Sequence, residues 1–412
     1  MTNTAILAAS AILLLAYAIE HFGRHFRVPS VVLLIVVGLV ARQVLEALGL
    51  HFHQWAAPVV PLLGTLGLIL IVLEGALDLK VTRERRSLIV TAAASSLLGF
   101  LASLGAFALI FYYLLGFPGA TAMLVAIPFA VISSAVAIPS AAGLHDKPRE
   151  FIVYESSLSD ILGVLVFYAW VSAAGSLEGF AADLLGGGAI SLVAAVLAAL
   201  ALFYFINQVV GHVRFLPLLA GLVFLYAIGK ALHLSPLIVV LVCGLIINNP
   251  QLVTWHAKLR RLQNDGYDQT LREFKGLVAE LTFATKSFFF LLLGYWTDMK
   301  TMLSIEAWLV AIAGISFILA SRWVILKLLR QRDIAQLVWI APRGLITVLL
   351  FLSANETGKL ERFPFGSVML VVLVTAALTA VAHRGSGHAA PAPSPPAAPE
   401  PAPAAPPEAP RP

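Results

Sequence analysis

The sequence predicts an all-α protein that crosses a membrane about thirteen times, and three observations support this fold class. Hydrophobic residues make up 60% of the 412 residues, charged residues only 12%, and the mean hydropathy is +0.92. Apolar runs of roughly 20 residues, long enough to span a bilayer, follow one another along the chain. Basic residues collect in alternate connections between these runs. This composition is far from that of soluble globular chains and is typical of a polytopic membrane protein.

The apolar runs give the order of the predicted spans. They lie near residues 4–20, 28–48, 57–79, 87–115, 118–144, 150–174, 187–210, 215–232, 234–249, 276–297, 304–329, 334–354 and 364–382. These runs predict that residues 1–382 form one transmembrane domain, which is embedded in the lipid bilayer. The single cysteine, Cys243, excludes a disulfide framework, and no metal or other cofactor is predicted.

The asymmetry of basic residues predicts the orientation. Connections that lie on one side carry clusters such as Lys80 to Arg86, Lys147/Arg149 and Lys258 to Lys275, whereas the other side carries few basic residues. Because basic loops resist translocation, the N-terminus is predicted outside and the C-terminus in the cytoplasm of a cell membrane, in a bacterium the inner membrane. The asymmetry accounts for most of the basic residues behind the net charge of +5, so no nucleic-acid partner is expected.

Two spans resemble each other in sequence. LILIVLEGALDLK ends at Lys80 and FFFLLLGYWTDMK ends at Lys300, and each combines an apolar run, a glycine and a D-x-K exit. The two spans run in opposite directions in the predicted topology. The similarity therefore favours two inverted-topology repeats of six helices, residues 1–174 and 215–382, joined by a linker helix at 187–210.

Two polar segments lie outside the spans. Residues 250–275 are too polar to span and are predicted to lie along the cytoplasmic face, either as an amphipathic helix or as a solvated linker. Residues 383–412 are rich in proline and alanine and are predicted to be a disordered cytoplasmic tail.

Five ionisable residues lie inside the predicted spans, away from their ends: Glu155, Asp160, Lys286, Arg322 and Arg343. A charge at the centre of a bilayer costs about 2.5–3.5 kcal/mol on insertion scales. Five uncompensated charges would cost as much as the whole stability of a typical domain, so we expect them to be paired or to line a wet path.

The two acids of YESSLSD, Glu155 and Asp160, lie at different depths in the membrane, and this predicts different functions for them. At 1.5 Å per residue, Glu155 lies about 8 Å from the cytoplasmic end and Asp160 about 15 Å, close to the midplane. Arg322 lies at the depth of Glu155, which favours a buried structural ion pair over a transport ligand. Ser156 and Ser157 share the helical face of Asp160. A carboxylate among hydroxyl oxygens suits Na⁺, K⁺ or Li⁺, and also a proton.

Two spans carry signals of broken helices. Pro128 and Pro139 bracket Ser133 and Ser134 in AIPFAVISSAVAIPSAAG, and Arg343 is flanked by proline and glycine in IAPRGLIT. Broken helices in corresponding positions of two halves point to a transporter's midplane site. Ser133 and Ser134 are therefore either ion ligands or ordinary small packing residues.

These residues together resemble the monovalent cation/proton antiporter superfamily, which includes the sodium/hydrogen exchangers, over residues 1 to about 382. The exchanger branch has a sixth-helix pattern E-S-x-x-N-D, and this chain has E-S-x-x-S-D from Glu155 to Asp160. SRWVILKLL with Arg322 and APRGL with Arg343 are similar to its other two motifs.

The resemblance implies an antiporter that exchanges a monovalent cation for H⁺ by alternating access. It implies that Asp160 carries ion and proton, that Glu155 and Arg322 form a structural pair, that Arg343 balances the crossing helices, and that the protein is a homodimer. Where the exchanger branch has T-D-P in its fifth helix, this chain has Ser133, Ser134 and Ala135, similar to the potassium efflux branch. A single titrating carboxylate favours electroneutral exchange.

Alternatives remain at this stage for Lys286 and for the function. Lys286 is expected to extend to the interface, to pair with Glu74 or Glu280, or to modulate the ion path. A sodium-coupled organic-solute symporter of similar architecture and a cation channel are the alternative functions. Hydrolytic catalysis is not expected, because no histidine lies at the midplane to act as a base.

Overall fold

The computed structural model describes residues 10–21, 29–48, 53–82, 84–182, 186, 188–208, 215–231, 236–252, 267–358, 360 and 363–385. Within these ranges the secondary structure is helical, with no strand. Among the residues described, six helices are long and apolar enough to cross a membrane by length and composition. The protein is thus an all-α polytopic membrane protein, as predicted.

Each predicted span has a helical counterpart. In chain order the helices are α1 (Ser10–His21), α2 (Ser30–Ala47), α3 (His53–Asp78), α4 (Arg86–Tyr113), α5 (Gly119–Ala130), α6 (Ser134–Ser140), α7 (Asp146–Ser172), α8 (Leu177–Ala182), α9 (Gly188–Gln208), α10 (Phe215–Ala231), α11 (Pro236–Asn248), α12 (Tyr267–Trp296), α13 (Met299–Met302), α14 (Ile305–Leu328), α15 (Ile334–Leu337), α16 (Leu345–Gly358) and α17 (Gly366–Leu378). The predicted fifth span corresponds to α5 and α6, and the predicted twelfth to α15 and α16.

Part of the polar segment at residues 250–275 is helical. Pro250–Leu252 form a short 3-10 helix, and α12, which contains the predicted span at 276–297, begins at Tyr267. Residues 253–266 lie outside the described ranges. From Tyr267 onward the polar segment is therefore continuous with the helix of the tenth span. Thr379–Gly385 continue α17 as a 3-10 helix, and the remainder of the predicted tail is outside the described residues.

The helices group into two bundles. The first bundle consists of α4, α5, α6, α7, α14, α16 and α17, which pack mainly on one another. The second consists of α2, α3, α9, α10, α11 and α12, with α12 packed closely on both α2 and α3. Contacts between the bundles are sparser and are made mainly by α3 and α11 against α7, and by α3 against α16. A division of this kind permits one bundle to move against the other.

Small residues allow the close packing of α2 on α12 in the second bundle. A side-chain carbon on Gly38 would meet the backbone of α12 at Leu291, and one on Gly294 would meet the backbone of α2 at Ile35. Because helix backbones approach this closely only where no side chain intervenes, the two glycines fix the contact.

Aromatic rings fill the centre of the first bundle at one end. Phe107, Phe111, Phe129, Phe351 and Phe363 form a continuous chain of ring contacts with centroids 4.8–6.2 Å apart. They join α4, α5 and α16 and bury the end of α5 that leads to the site described next.

Candidate functional site

Two interrupted helices cross beside α7. α5 ends at Ala130 and α6 begins at Ser134, and the residues between them are extended, with ψ of 130° at Val131 and 117° at Ser133. On the opposite side, α15 ends at Leu337 and α16 begins at Leu345. The two unwound segments are joined directly, since the Ser133 N–H donates to the carbonyl of Pro342 at 2.9 Å.

Both interruptions have local causes, but the break between α5 and α6 does not lie at either of the two prolines of this span. Pro128 lies inside α5 and Pro139 inside α6. The break falls between them, over Val131, Ile132 and Ser133, which are weaker helix formers than the surrounding alanines. In the other helix the break does contain Pro342, which lacks an N–H and disfavours helix in the preceding residue.

Asp160 lies on α7 where α6 begins, and its side chain is almost fully buried. The Ser134 N–H donates to its Oδ2 at 3.2 Å, and the Ser134 hydroxyl lies beside the same carboxylate. Its Oδ1 is buried without a hydrogen-bond partner among the described residues. One residue away, Ser159 accepts a hydrogen bond from the Ile132 N–H at 2.9 Å, so α7 holds the unwound segment in place. The carboxylate thus lies at the positive end of a short helix.

The hydroxyl groups of the other serines of the predicted ion site have different surroundings. Ser133 Oγ and Ser157 Oγ are buried and have no hydrogen-bond partner within the described part of the chain. The Ser133 hydroxyl lies against Gly344, and the Ser157 hydroxyl faces Gly75 of the second bundle. The Ser156 hydroxyl instead donates to the Ile152 carbonyl at 2.7 Å, one helical turn back. The unwound segment therefore contributes a backbone donor through Ser134 and an unpartnered hydroxyl through Ser133.

Glu155 and Arg322 form a buried, two-pronged ion pair. The guanidinium Nη2 lies 2.7 Å from Oε2 and Nη1 lies 3.0 Å from Oε1. Arg322 Nε donates to the Leu337 carbonyl at 2.8 Å, and the Ser95 hydroxyl donates to Glu155 Oε1 at 2.5 Å. The pair joins α7, α14 and α4, which are all elements of the first bundle, to the end of α15.

Arg343 is 1% exposed and lies in the unwound segment before α16. Its Nε donates to the Phe129 carbonyl at 2.8 Å, its Nη1 to the Ala341 carbonyl at 2.9 Å, and its Nη2 to Ser103 at 3.2 Å. Its own N–H donates to Thr375 at 2.9 Å. Because helix C-terminal carbonyls carry partial negative charge, the guanidinium stabilises the end of α5, and no carboxylate among the described residues pairs with it.

Lys286 lies away from this site, on α12 of the second bundle. Its Nζ is 5.8 Å from the centroid of the Phe283 ring, and it lies near enough to Glu74 of α3 for their charges to interact. Among the described residues, no lysine or arginine forms an ion pair with Asp160. Of the alternatives for Lys286, the placement favours the association with Glu74.

Four partners of the site were not singled out from the sequence: Ser95, Ser103, Ser159 and Thr375. Each supplies or accepts one hydrogen bond that holds Glu155, Arg343 or an unwound segment. A weak signal was present in α4, where buried serines interrupt an otherwise apolar span. Nothing in the sequence states which helix those hydroxyls face.

A buried carboxylate at the crossing of two interrupted helices, in one of two bundles, is typical of secondary transporters. The family comparison agrees: the model for "Sodium/hydrogen exchanger, transmembrane" matches residues 10–384. The chain belongs to the sodium/hydrogen exchanger family, as the resemblance predicted. This is a family of antiporters, not of enzymes.

Two solved structures of one antiporter have a similar fold. The sodium proton antiporter MjNhaP1 from Methanocaldococcus jannaschii, determined at pH 8, is 20% identical with a TM-score of 0.72, over 93% of this chain and 99% of that chain. A second structure of MjNhaP1, from an electron-microscopy map, matches with the same identity and TM-score over 96% of that chain. No curated protein sequence matches the chain.

Proposed function

We propose that the protein exchanges a monovalent cation, Na⁺, K⁺ or Li⁺, for H⁺ across the cell membrane by alternating access, with cation and proton competing for Asp160. The family supports cation/proton antiport. The observation that carries the proposal is the unpartnered Oδ1 of Asp160, buried beside the break between α5 and α6. A buried carboxylate oxygen without a donor is costly unless it binds a proton or a cation.

The surrounding contacts support competition for one site. Asp160 has no basic partner among the described residues, so a cation does not have to displace an internal counter-ion. Oδ2 is already occupied by the Ser134 N–H, which leaves Oδ1 as the free oxygen. With one such carboxylate, one proton leaves as one cation binds, and the exchange is electroneutral.

The proposed movement carries Asp160 with the first bundle while the second bundle stays fixed. In this proposal Ser133, Ser134, Ser156 and Ser157 provide oxygens to the ion, Glu155 and Arg322 hold the moving bundle together, and Arg343 stabilises the crossing. Exchangers of this architecture would assemble as homodimers through the second bundle. The orientation, with the N-terminus outside, follows from the distribution of basic residues.

Purified protein in liposomes containing a pH-sensitive dye tests the proposal. Addition of Na⁺, K⁺ or Li⁺ in turn should move protons in the wild type, unaffected by an imposed voltage. Asp160→Asn should abolish the flux, whereas Glu46→Gln, which changes an exposed acid, should not. Undiminished flux in Asp160→Asn would refute the mechanism. Conductance without proton counterflow would indicate a channel, and labelled solute uptake with sodium a symporter.

A further inference from the structure

We propose that Tyr154 is a positioning residue that holds the Asp160-bearing helix α7 to the second bundle, at a segment that Asn249 fixes. The proposal rests on the proposed function, because it concerns the movement that carries Asp160. Tyr154 lies on α7, six residues before Asp160, or about 9 Å along the helix. It does not touch the ion site and acts only through the helix.

The segment that follows α3 is bound by two asparagines at the end of α11. The Asn249 side chain donates to the Leu79 carbonyl at 2.7 Å and accepts from the Val81 N–H at 2.7 Å. Asn248 donates to the same Leu79 carbonyl at 2.8 Å. Leu79 to Val81 therefore belong to the second bundle, although they lead directly toward α4 of the first.

The hydrogen bonds of Asn249 hold the segment from Leu79 to Val81 in place. It is fully buried, it also donates to the Leu245 carbonyl at 2.8 Å, and its oxygen accepts a second hydrogen bond from Gln251 at 3.3 Å. Two donors and two lone pairs are all that an asparagine amide has, so every one is used. Because the amide is saturated and dry, the segment is a rigid part of the second bundle.

Tyr154 reaches this rigid segment from the first bundle. It is 4% exposed, and its hydroxyl donates to the Lys80 carbonyl at 2.6 Å, between the two residues that Asn249 binds. At the other end of α7, Tyr168 lies near Tyr226 of α10, also in the second bundle. Of these two tyrosines, Tyr154 makes the hydrogen bond that joins the bundles.

A movement of α7 along the second bundle must break the Tyr154 hydrogen bond. Donor and acceptor are 2.6 Å apart, and such bonds are lost beyond about 3.5 Å, so a displacement of about 1 Å is sufficient. A net hydrogen bond of this kind changes a rate or an equilibrium by roughly two- to tenfold. The bond therefore slows departure from the state described here and leaves cation binding at Asp160 unchanged.

Tyr154→Phe tests this in the liposome exchange assay. The maximal exchange rate should increase roughly two- to tenfold, with the half-saturating cation concentration unchanged within about twofold. Tyr112→Phe, which removes a hydroxyl from an exposed tyrosine on α4, is the matched control and should change neither. A folded Tyr154→Phe protein with an unchanged or lower maximal rate, or with an altered half-saturating concentration, would overturn the proposal.

A second measurement uses the unmodified protein. Hydrogen–deuterium exchange at the Val81 amide should stay slow both in choline and during exchange driven by Na⁺ and a pH gradient, because Asn249 holds it throughout the cycle. Faster exchange at Val81 during turnover would contradict the rigid segment. This result is independent of Asp160: loss of flux in Asp160→Asn tests the transport mechanism, whereas Val81 protection and Tyr154→Phe test the contact between the bundles.

Discussion

Replacement of Glu155 by glutamine should leave the guanidinium of Arg322 buried without a counter-charge. The pair is closed on all sides, with Arg322 6% exposed and Glu155 fully buried. Glutamine keeps an oxygen for the Ser95 hydroxyl, but its amide nitrogen replaces the oxygen that accepts from Arg322 Nη2, so the substitution removes the charge and one hydrogen bond. Arg322→Met makes the converse change, because it leaves the Glu155 carboxylate buried without a counter-charge.

The expected magnitudes follow from these contacts. Each single substitution leaves one uncompensated buried charge and should lower the free energy of unfolding by about 3–5 kcal/mol. In the double variant Glu155→Gln/Arg322→Met no charge remains, and the main loss is the Leu337 carbonyl, which loses its donor at a cost of about 1–3 kcal/mol. The double variant should therefore be more stable than either single variant, with a coupling energy of at least about 3 kcal/mol.

Unfolding of the three variants and the wild type in detergent, followed as a double-mutant cycle, measures this coupling. Exchange in liposomes, recorded in parallel for the double variant, tests whether the pair is structural: a folded double variant should retain cation-driven proton flux. Additive destabilisation by the two substitutions would refute the assignment as a coupled pair. Complete loss of flux in a stable double variant would show that one of the two residues acts in transport.

Three further outcomes are expected. Arg343→Gln should lower stability by about 2 kcal/mol or more and abolish exchange, because the carbonyls of Phe129, at the end of α5, and Ala341, in the unwound segment, lose their donor; thermal unfolding and flux assays measure this. Gly344→Ala should reduce flux more than stability, since its side-chain carbon would lie 2.6 Å from Ser133 Oγ; unchanged flux would contradict a site at the crossing. Gly294→Ala should destabilise by about 1–3 kcal/mol, whereas Gly105→Ala, which meets open space, should not; equal unfolding midpoints would refute the close helix contact.

Much of the fold could be predicted from the sequence because the bilayer restricts the possibilities. Each apolar run of sufficient length had to form a helix, and every predicted span has a helical counterpart. The helix of the tenth span begins before residue 276, at Tyr267, because its polar first turns do not register in a hydropathy pattern. The prolines of the fifth span indicated a broken helix but not its position, which tertiary contacts fix between them.

The sequence determined which residues carry charge at membrane depth and, from rise per residue, that Glu155 and Arg322 lie at one level. It did not determine that Arg343 would bind the backbone carbonyls of two unwound or terminal segments, or that Lys286 would lie in the other bundle, near Glu74. The physical reason is that hydropathy and helical periodicity are properties of a single segment and do not indicate which other segment it packs against. Which buried group faces which is decided by packing between helices far apart in sequence, where each polar atom must find a partner or remain free to bind an ion.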